Sequence, residues 1–194
     1  MEPAAGKGIA VSQTVRRVVT GHDEEGRSVV LFDGPAPNAV AYPPGSGGCF
    51  TKLWATDRAP ASNRGSADAG DGPIAIEPLA GGSGFFVAHI PPLEQTEIRR
   101  RPTEAERAAM REGLELIGAE NAGVPSERDP SMHRTRTVDY IILLAGEVTL
   151  VVDDDEVVLR PFDVVVQRGT SHTWRNTGTT EAIMAGVMIG AEPL

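Results

Sequence analysis

In the second half of the chain, apolar residues come in short runs with turn residues between them. Tyr140 to Ala145, Val148 to Val152 and Val164 to Val166 are separated by Gly146, by the acidic turn Asp153 to Asp155 and by Pro161-Phe162-Asp163. Runs this short, rich in β-branched side chains and without a helical period, predict consecutive antiparallel strands from Tyr140 to Met188, in the manner of a meander. The first half shows the same pattern more loosely. Val15 to Thr20, Ser28 to Phe32, Phe50 to Thr56 and Gly84 to Ile90 read as strands joined by Gly-, Asp- and Pro-bearing turns.

Two stretches break the strand pattern. Thr103 to Ala119 carries a capping box (Thr103 with Glu106), a partial apolar stripe that includes Leu114 and Ile117, and a stop at Gly118, so it is expected to be a helix. It should pack outside the barrel or against its mouth. Pro60 to Pro73 is Gly, Ala, Ser and Asp with almost nothing to bury, which predicts a surface connector, a lid being the less favoured alternative. Residues 1–14 are expected to be a loose terminus and 15–194 one domain: strands and loop over 15–100, the helix at 103–119 and the barrel core at 132–190.

Charge and cysteine usage narrow the class of partner. With 18 basic and 27 acidic residues the net charge is −9, which argues against nucleic acid or an anionic membrane, since both reward clustered Lys and Arg. A small-molecule ligand or substrate is expected instead. One cysteine, Cys49, allows no internal disulfide and suits a reducing compartment, and no apolar stretch reaches membrane-spanning length, so the expected location is the cytoplasm. Cys49 itself reads as a small buried hydrophobe.

Strand geometry sends alternate side chains to opposite faces, so His133, Thr135, Asp139, Ile141 and Leu143 share one face and His172, Trp174 and Asn176 share another. Two histidines and a carboxylate can then look into one barrel. The spacing from His133 through Asp139 to Gly146, and the Gly169-x2-His172-x3-Asn176 spacing, resemble the two motifs of the cupins, G-x5-H-x-H-x3,4-E-x6-G and G-x5-P-x-G-x2-H-x3-N. The sequence departs from those motifs in five places. Thr135 stands at the second histidine, Asp139 at the glutamate, Glu127 at the opening glycine, Phe162 at the turn glycine, and Arg168 falls one residue from the usual proline. A bulky residue held at positive φ costs roughly 1 kcal/mol or more, so a different turn is expected at Phe162.

The resemblance, to the cupin-2 group in particular, implies an all-β, jelly-roll barrel with extra N-terminal strands and one peripheral helix. It also implies small-molecule chemistry, on a carbonyl-containing or aromatic, polyketide-like metabolite, by an oxygenase, decarboxylase, dehydratase or isomerase. His133, Asp139 and His172 are the candidate catalytic residues and the candidate ligands of a divalent Fe, Mn, Ni or Zn. The alternatives are a metal-free lyase or isomerase, in which a His and a carboxylate move a proton, and a binding module without catalysis. Thr135, Trp174 and Asn176 are candidate pocket residues. Arg134, Arg136, Arg168 and Arg175 cluster around the motifs and could hold a substrate carboxylate, although surface placement fits most of them better. His22 reads as solvated and His89 as a minor candidate for the pocket. As in resembling cupins, a homodimer is expected, with the edges of the N-terminal strands paired across a two-fold axis.

Overall fold

The structure, a computed structural model, describes residues 14–93, 103–119, 122–124, 126, 129 and 131–193. Most of the expected loose terminus therefore lies outside the described residues. Among the described residues eleven strands and one helix follow one another: β1 (Arg16–His22), β2 (Ser28–Pro35), β3 (Asn38–Ala41), β4 (Cys49–Thr56), β5 (Ser83–Ile90), α1 (Glu104–Leu116), β6 (Thr137–Ala145), β7 (Val148–Val152), β8 (Glu156–Leu159), β9 (Val164–Arg168), β10 (His172–Arg175) and β11 (Ala182–Gly190). This is the all-β jelly-roll class that the resemblance implied.

The pairing is not a meander. Sequence neighbours in the second half are divided between two sheets, a six-stranded one in the order β3-β4-β5-β11-β6-β9 and a three-stranded one in the order β10-β7-β8. All pairs are antiparallel, but β6 lies between β11 and β9, and the chain leaves it for the other sheet at Gly146. Alternation shows which residues face the core, not which strand lies alongside, so the pattern reads the same in a meander and in a jelly roll. Two of the first-half strands, β4 and β5, are interior strands of the larger sheet. β1 and β2 instead form a separate two-stranded ribbon, tied down by the buried Arg17, whose guanidinium donates to the Leu53 carbonyl and pairs with Asp68.

Gly146 makes the crossing from one sheet to the other possible. Its φ is 76°, and a Cβ there would lie 2.5 Å from the Glu181 carbonyl oxygen and 2.6 Å from Ala182 Cα. The turn at Phe162 departs from expectation. Phe162 keeps the positive φ, 74°, that the motif glycine would have taken, with Pro161 before it and the Asp163 N–H bonded to the Arg160 carbonyl at 2.9 Å. These are the features of a type II turn. Its ring lies largely in solvent, 77 % exposed, so no packing of the ring offsets the backbone cost.

The two sheets enclose apolar side chains from both. Ile141 and Leu143 of β6, Val148 of β7, Leu159 of β8, and Ala182 and Met184 of β11 form one cluster, with Trp174 packed against it. Fully burying one such aliphatic side chain contributes about 1.5–3 kcal/mol. A second cluster joins Phe50 and Phe86 to Ile74, Ile76, Leu114 and Ile117. Helix α1 thus covers one end of the barrel, as expected, held at its start by the Thr103–Glu106 capping box. The 57–67 loop is exposed, and 60–73 supplies no residue to the cavity described below. Its end is pinned by Lys52, whose Nζ donates to the carbonyls of Asp71, Gly72 and Pro73 at 2.7, 3.1 and 3.0 Å. It is a surface connector.

Candidate functional site

A cavity of about 150 Å³ lies between the two clusters. Tyr42, Phe50, Phe86, Ile76 and Met110 line it with apolar surface, and His133, Thr135, Asp139, His172 and Trp174 add the polar part of its lining. The polar wall is built by backbone pairing. His133 N–H donates to the His172 carbonyl at 2.9 Å and His172 N–H donates back to the His133 carbonyl at 3.0 Å. Directly opposed residues present their side chains on the same face. The ring centroids are 4.3 Å apart, and the edge of Trp174 meets the His172 ring at 5.4 Å.

Each imidazole is fixed by a carbonyl two residues before it. Nδ1 of His133 lies 3.0 Å from the Ser131 oxygen and Nδ1 of His172 lies 2.9 Å from the Thr170 oxygen. A carbonyl only accepts, so both Nδ1 atoms carry the proton and both Nε2 atoms present a lone pair. Among the described residues none hydrogen-bonds to either Nε2. Burial pushes the His172 pKa down to about 3, with the His133 ring adding to the shift and the Thr170 carbonyl opposing it. Burial also lowers that of His133, against the Ser131 carbonyl and the Asp129 charge. Both rings are therefore neutral at physiological pH.

The Ser131 carbonyl is itself held in place. Asp129 accepts from the Ser131 N–H at 2.8 Å and from its hydroxyl at 2.5 Å, and pairs with Arg175 at 2.5 Å. Ser131 Oγ also meets Thr173 Oγ1 of β10 at 2.7 Å. Asp129 and Arg175 thus support the His133 ring from behind, a role the sequence pattern did not show for Asp129, since nothing in the spacing marks a loop carboxylate as a brace.

Asp139 enters the cavity from β6 and is 2 % exposed, with Oδ1 buried and without a hydrogen-bond partner. Burial pushes its pKa up to about 6, against a hydrogen bond from Thr137. Thr135 lies beside it, its hydroxyl engaged with that of Thr137 at 2.7 Å. Thr135 and Trp174 line the cavity as expected, and Asn176 does not. The Asn176 amide donates to the Ile90 and Thr180 carbonyls at 2.7 and 2.8 Å and accepts from the Gly178 N–H, so it ties the end of β10 to β5. Among the described residues no arginine lines the cavity. Arg136 pairs with Glu77, Arg175 with Asp129, and Arg134 and Arg168 are exposed. His89 borders the cavity with Nδ1 3.3 Å from Glu181, and His22 is exposed at the end of β1.

A divalent metal fits this set poorly. Two free Nε2 atoms backed by carbonyls are an arrangement that metal-binding histidines adopt. The third ligand is missing, because among the described residues no three His, Cys, Asp or Glu side chains are grouped closely enough to hold a metal. The expected three-ligand centre of His133, Asp139 and His172 is not assembled: Asp139 is one methylene shorter than the motif glutamate, and the Thr135 hydroxyl is taken by Thr137.

The cupin domain family matches residues 124–190. "Phomopsin biosynthesis cluster protein C'" of Diaporthe leptostromiformis is 46 % identical over 65 residues, 32 % of this chain and 34 % of that protein. "Cupin-domain-containing oxidoreductase virC" of Hypocrea virens is 37 % identical over 67 residues, again 32 % of this chain and 34 % of that protein. The chain thus spans about a third of the length of the curated relatives it matches. An RmlC-like cupin family protein of Methanocaldococcus jannaschii, with a double-stranded β-helix fold, aligns at a TM-score of 0.35 and 12 % identity, over 56 % of this chain and 70 % of that one. No described helix is long and apolar enough to cross a membrane. The matched segment is the part of the chain that supplies His133, Asp139 and His172, so residues 124–190 carry a cupin domain of the cupin-2 type.

Proposed function

We propose that the barrel is the active site of a small-molecule enzyme that moves a proton next to a carbonyl group, a lyase or isomerase that needs no resident metal. The observation that carries this reading is the pairing of two neutral imidazoles, each with a free Nε2, with a carboxyl group whose Oδ1 is buried and unpartnered in the same cavity. A pKa of about 6 lets Asp139 exist in both protonation states near neutrality, the condition for an efficient general acid. The steps balance as follows. A substrate ketone places its oxygen at protonated Asp139 and its α-carbon at an imidazole Nε2. The C–H proton passes to Nε2 as the Asp139 proton passes to oxygen, giving an enol, an imidazolium and a carboxylate. The imidazolium then gives its proton to another carbon, or to a leaving hydroxyl that departs as water, while the enol O–H returns its proton to the Asp139 carboxylate, so that both groups regain their starting forms.

Relatives named for biosynthesis clusters support a role in small-molecule metabolism. The name of the Hypocrea virens relative supports a second reading, oxidation of the same bound ligand, for which oxygen uptake is the assay. The homodimer belongs with this proposal, its open edges being β3 and β9 of the larger sheet; light scattering at micromolar concentration decides it.

The test is solvent exchange. Cyclohexanone in D₂O, followed by NMR with chelator-dialysed protein, should take up deuterium at its α-carbons faster than in buffer. His172→Ala or Asp139→Asn should reduce the excess by about 10²-fold or more. Exchange at the buffer rate, or exchange that both variants leave intact, would refute the reading.

A further inference from the structure

We infer that the cavity selects an uncharged, single-ring molecule that donates an O–H, such as a phenol or a ring enol, and rejects carboxylates and phosphates. This deepens the proton-transfer reading and rests on it for the identity of the site, but it is argued from hydrogen-bond roles and not from turnover.

The polar wall offers acceptors. Because both Nδ1 protons are spent on the Ser131 and Thr170 carbonyls, the His133 and His172 rings face a ligand with Nε2 lone pairs. Asp139 adds an oxygen that no residue bonds. The hydroxyls nearby are committed to each other: Thr135 to Thr137, and Ser131 to Asp129 and Thr173. A ligand oxygen that brings no proton would set its own lone pairs against those of the imidazoles, leaving buried polar groups without partners, which is strongly unfavourable. An O–H brought up to this pair of rings meets an acceptor at whichever Nε2 it reaches.

Charge and size complete the selection. Among the described residues no lysine or arginine lines the cavity, so an anion would enter a low-dielectric space that already holds a carboxyl group. Much of the remaining lining, Phe50, Phe86, Ile76 and Met110 and the Tyr42 ring among it, is aromatic or aliphatic. The cavity volume, about 150 Å³, matches that of engineered protein cavities that take up one benzene. For the reaction this means that the enol form of a ring ketone is bound in preference to the keto form, so the protein stabilises the species that proton transfer creates.

The experiment titrates the full chain, labelled with ¹⁵N-histidine, with phenol, anisole and benzoate at pH 7.5. Phenol should bind saturably and move the Nε2 resonance of His133 or His172. Anisole, which keeps the ring and loses the O–H, should bind at least ten-fold more weakly, and benzoate should leave both imidazoles unmoved. Equal binding of anisole and phenol, binding of benzoate as tight as that of phenol, or failure of all three to perturb the imidazoles would overturn the inference. Since phenol undergoes no turnover in this assay, the two readings separate. Lost discrimination with cyclohexanone exchange intact sinks the ligand class alone, and discrimination without exchange sinks the proton transfer alone.

Discussion

His133 and His172 exchange both of their backbone hydrogen bonds, at 2.9 and 3.0 Å, and this reciprocal pair fixes their rings 4.3 Å apart on one face. Two such rings cannot both hold a second proton. His133→Ala should therefore raise the His172 pKa from about 3 toward 6.5, although burial, the larger cause, will keep it below that value. NMR titration of the His172 ring measures this, and an unchanged pKa would show that the rings do not sense each other. The depressed pKa also sets an acid limit. Between pH 6.5 and 3 the unfolded chain binds protons that folded His172 refuses, so stability falls as pH drops through that window.

Asp139 works in the opposite direction. Its folded pKa, about 6, lies above the ordinary 3.8, so the folded state holds the extra proton between those values and stability declines as pH rises across them. Asp139→Asn removes the buried charge, and at pH 7.5 it should stabilise the protein by about 1–2 kcal/mol while abolishing exchange activity. At pH 4 the stability gain should vanish. Urea melts at the two pH values check it; an equal effect at both would mean that burial of the charge is not its source.

Phe162→Gly should stabilise the fold by about 1 kcal/mol, because glycine accepts a φ of 74° without strain and the exposed ring loses little packing. A lower urea midpoint in the variant would show that the ring contributes more than its exposure suggests.

Gly146→Val should do the reverse. The positive φ and the contact with the Glu181 carbonyl together predict a loss of about 2–4 kcal/mol. Thermal melting within 2 °C of the parent, taken against the roughly 4 °C per kcal/mol of a domain this size, would contradict it.

These residues mark the limit of what the sequence discloses. The runs around Tyr140, Val148 and Val164, the capping box at Thr103 and the shared face of His133, Thr135 and Asp139 could be read directly, because period and caps are local properties. Strand partnership could not. The pairing of β11 with β5 joins Ile183 to His89, and nothing near either residue announces the other. Nor could the function of Tyr42, Phe50 and Phe86 as a cavity wall, since an aromatic side chain facing a void has the same sequence context as one facing the core. Asn176 fits the motif spacing but serves the backbone, which spacing alone does not distinguish from a ligand contact.

The place of β11 carries a consequence for how the protein is made. It is the last of the strands to leave the ribosome, yet it lies in the interior of the six-stranded sheet, between β5 and β6. Until it emerges, β5 and β6 each present an open strand edge toward the gap it will fill, and contacts this distant in sequence form late. The nascent barrel is a clamp whose bolt has yet to arrive, and a chaperone that shields open edges would be needed most in the interval before β11 emerges.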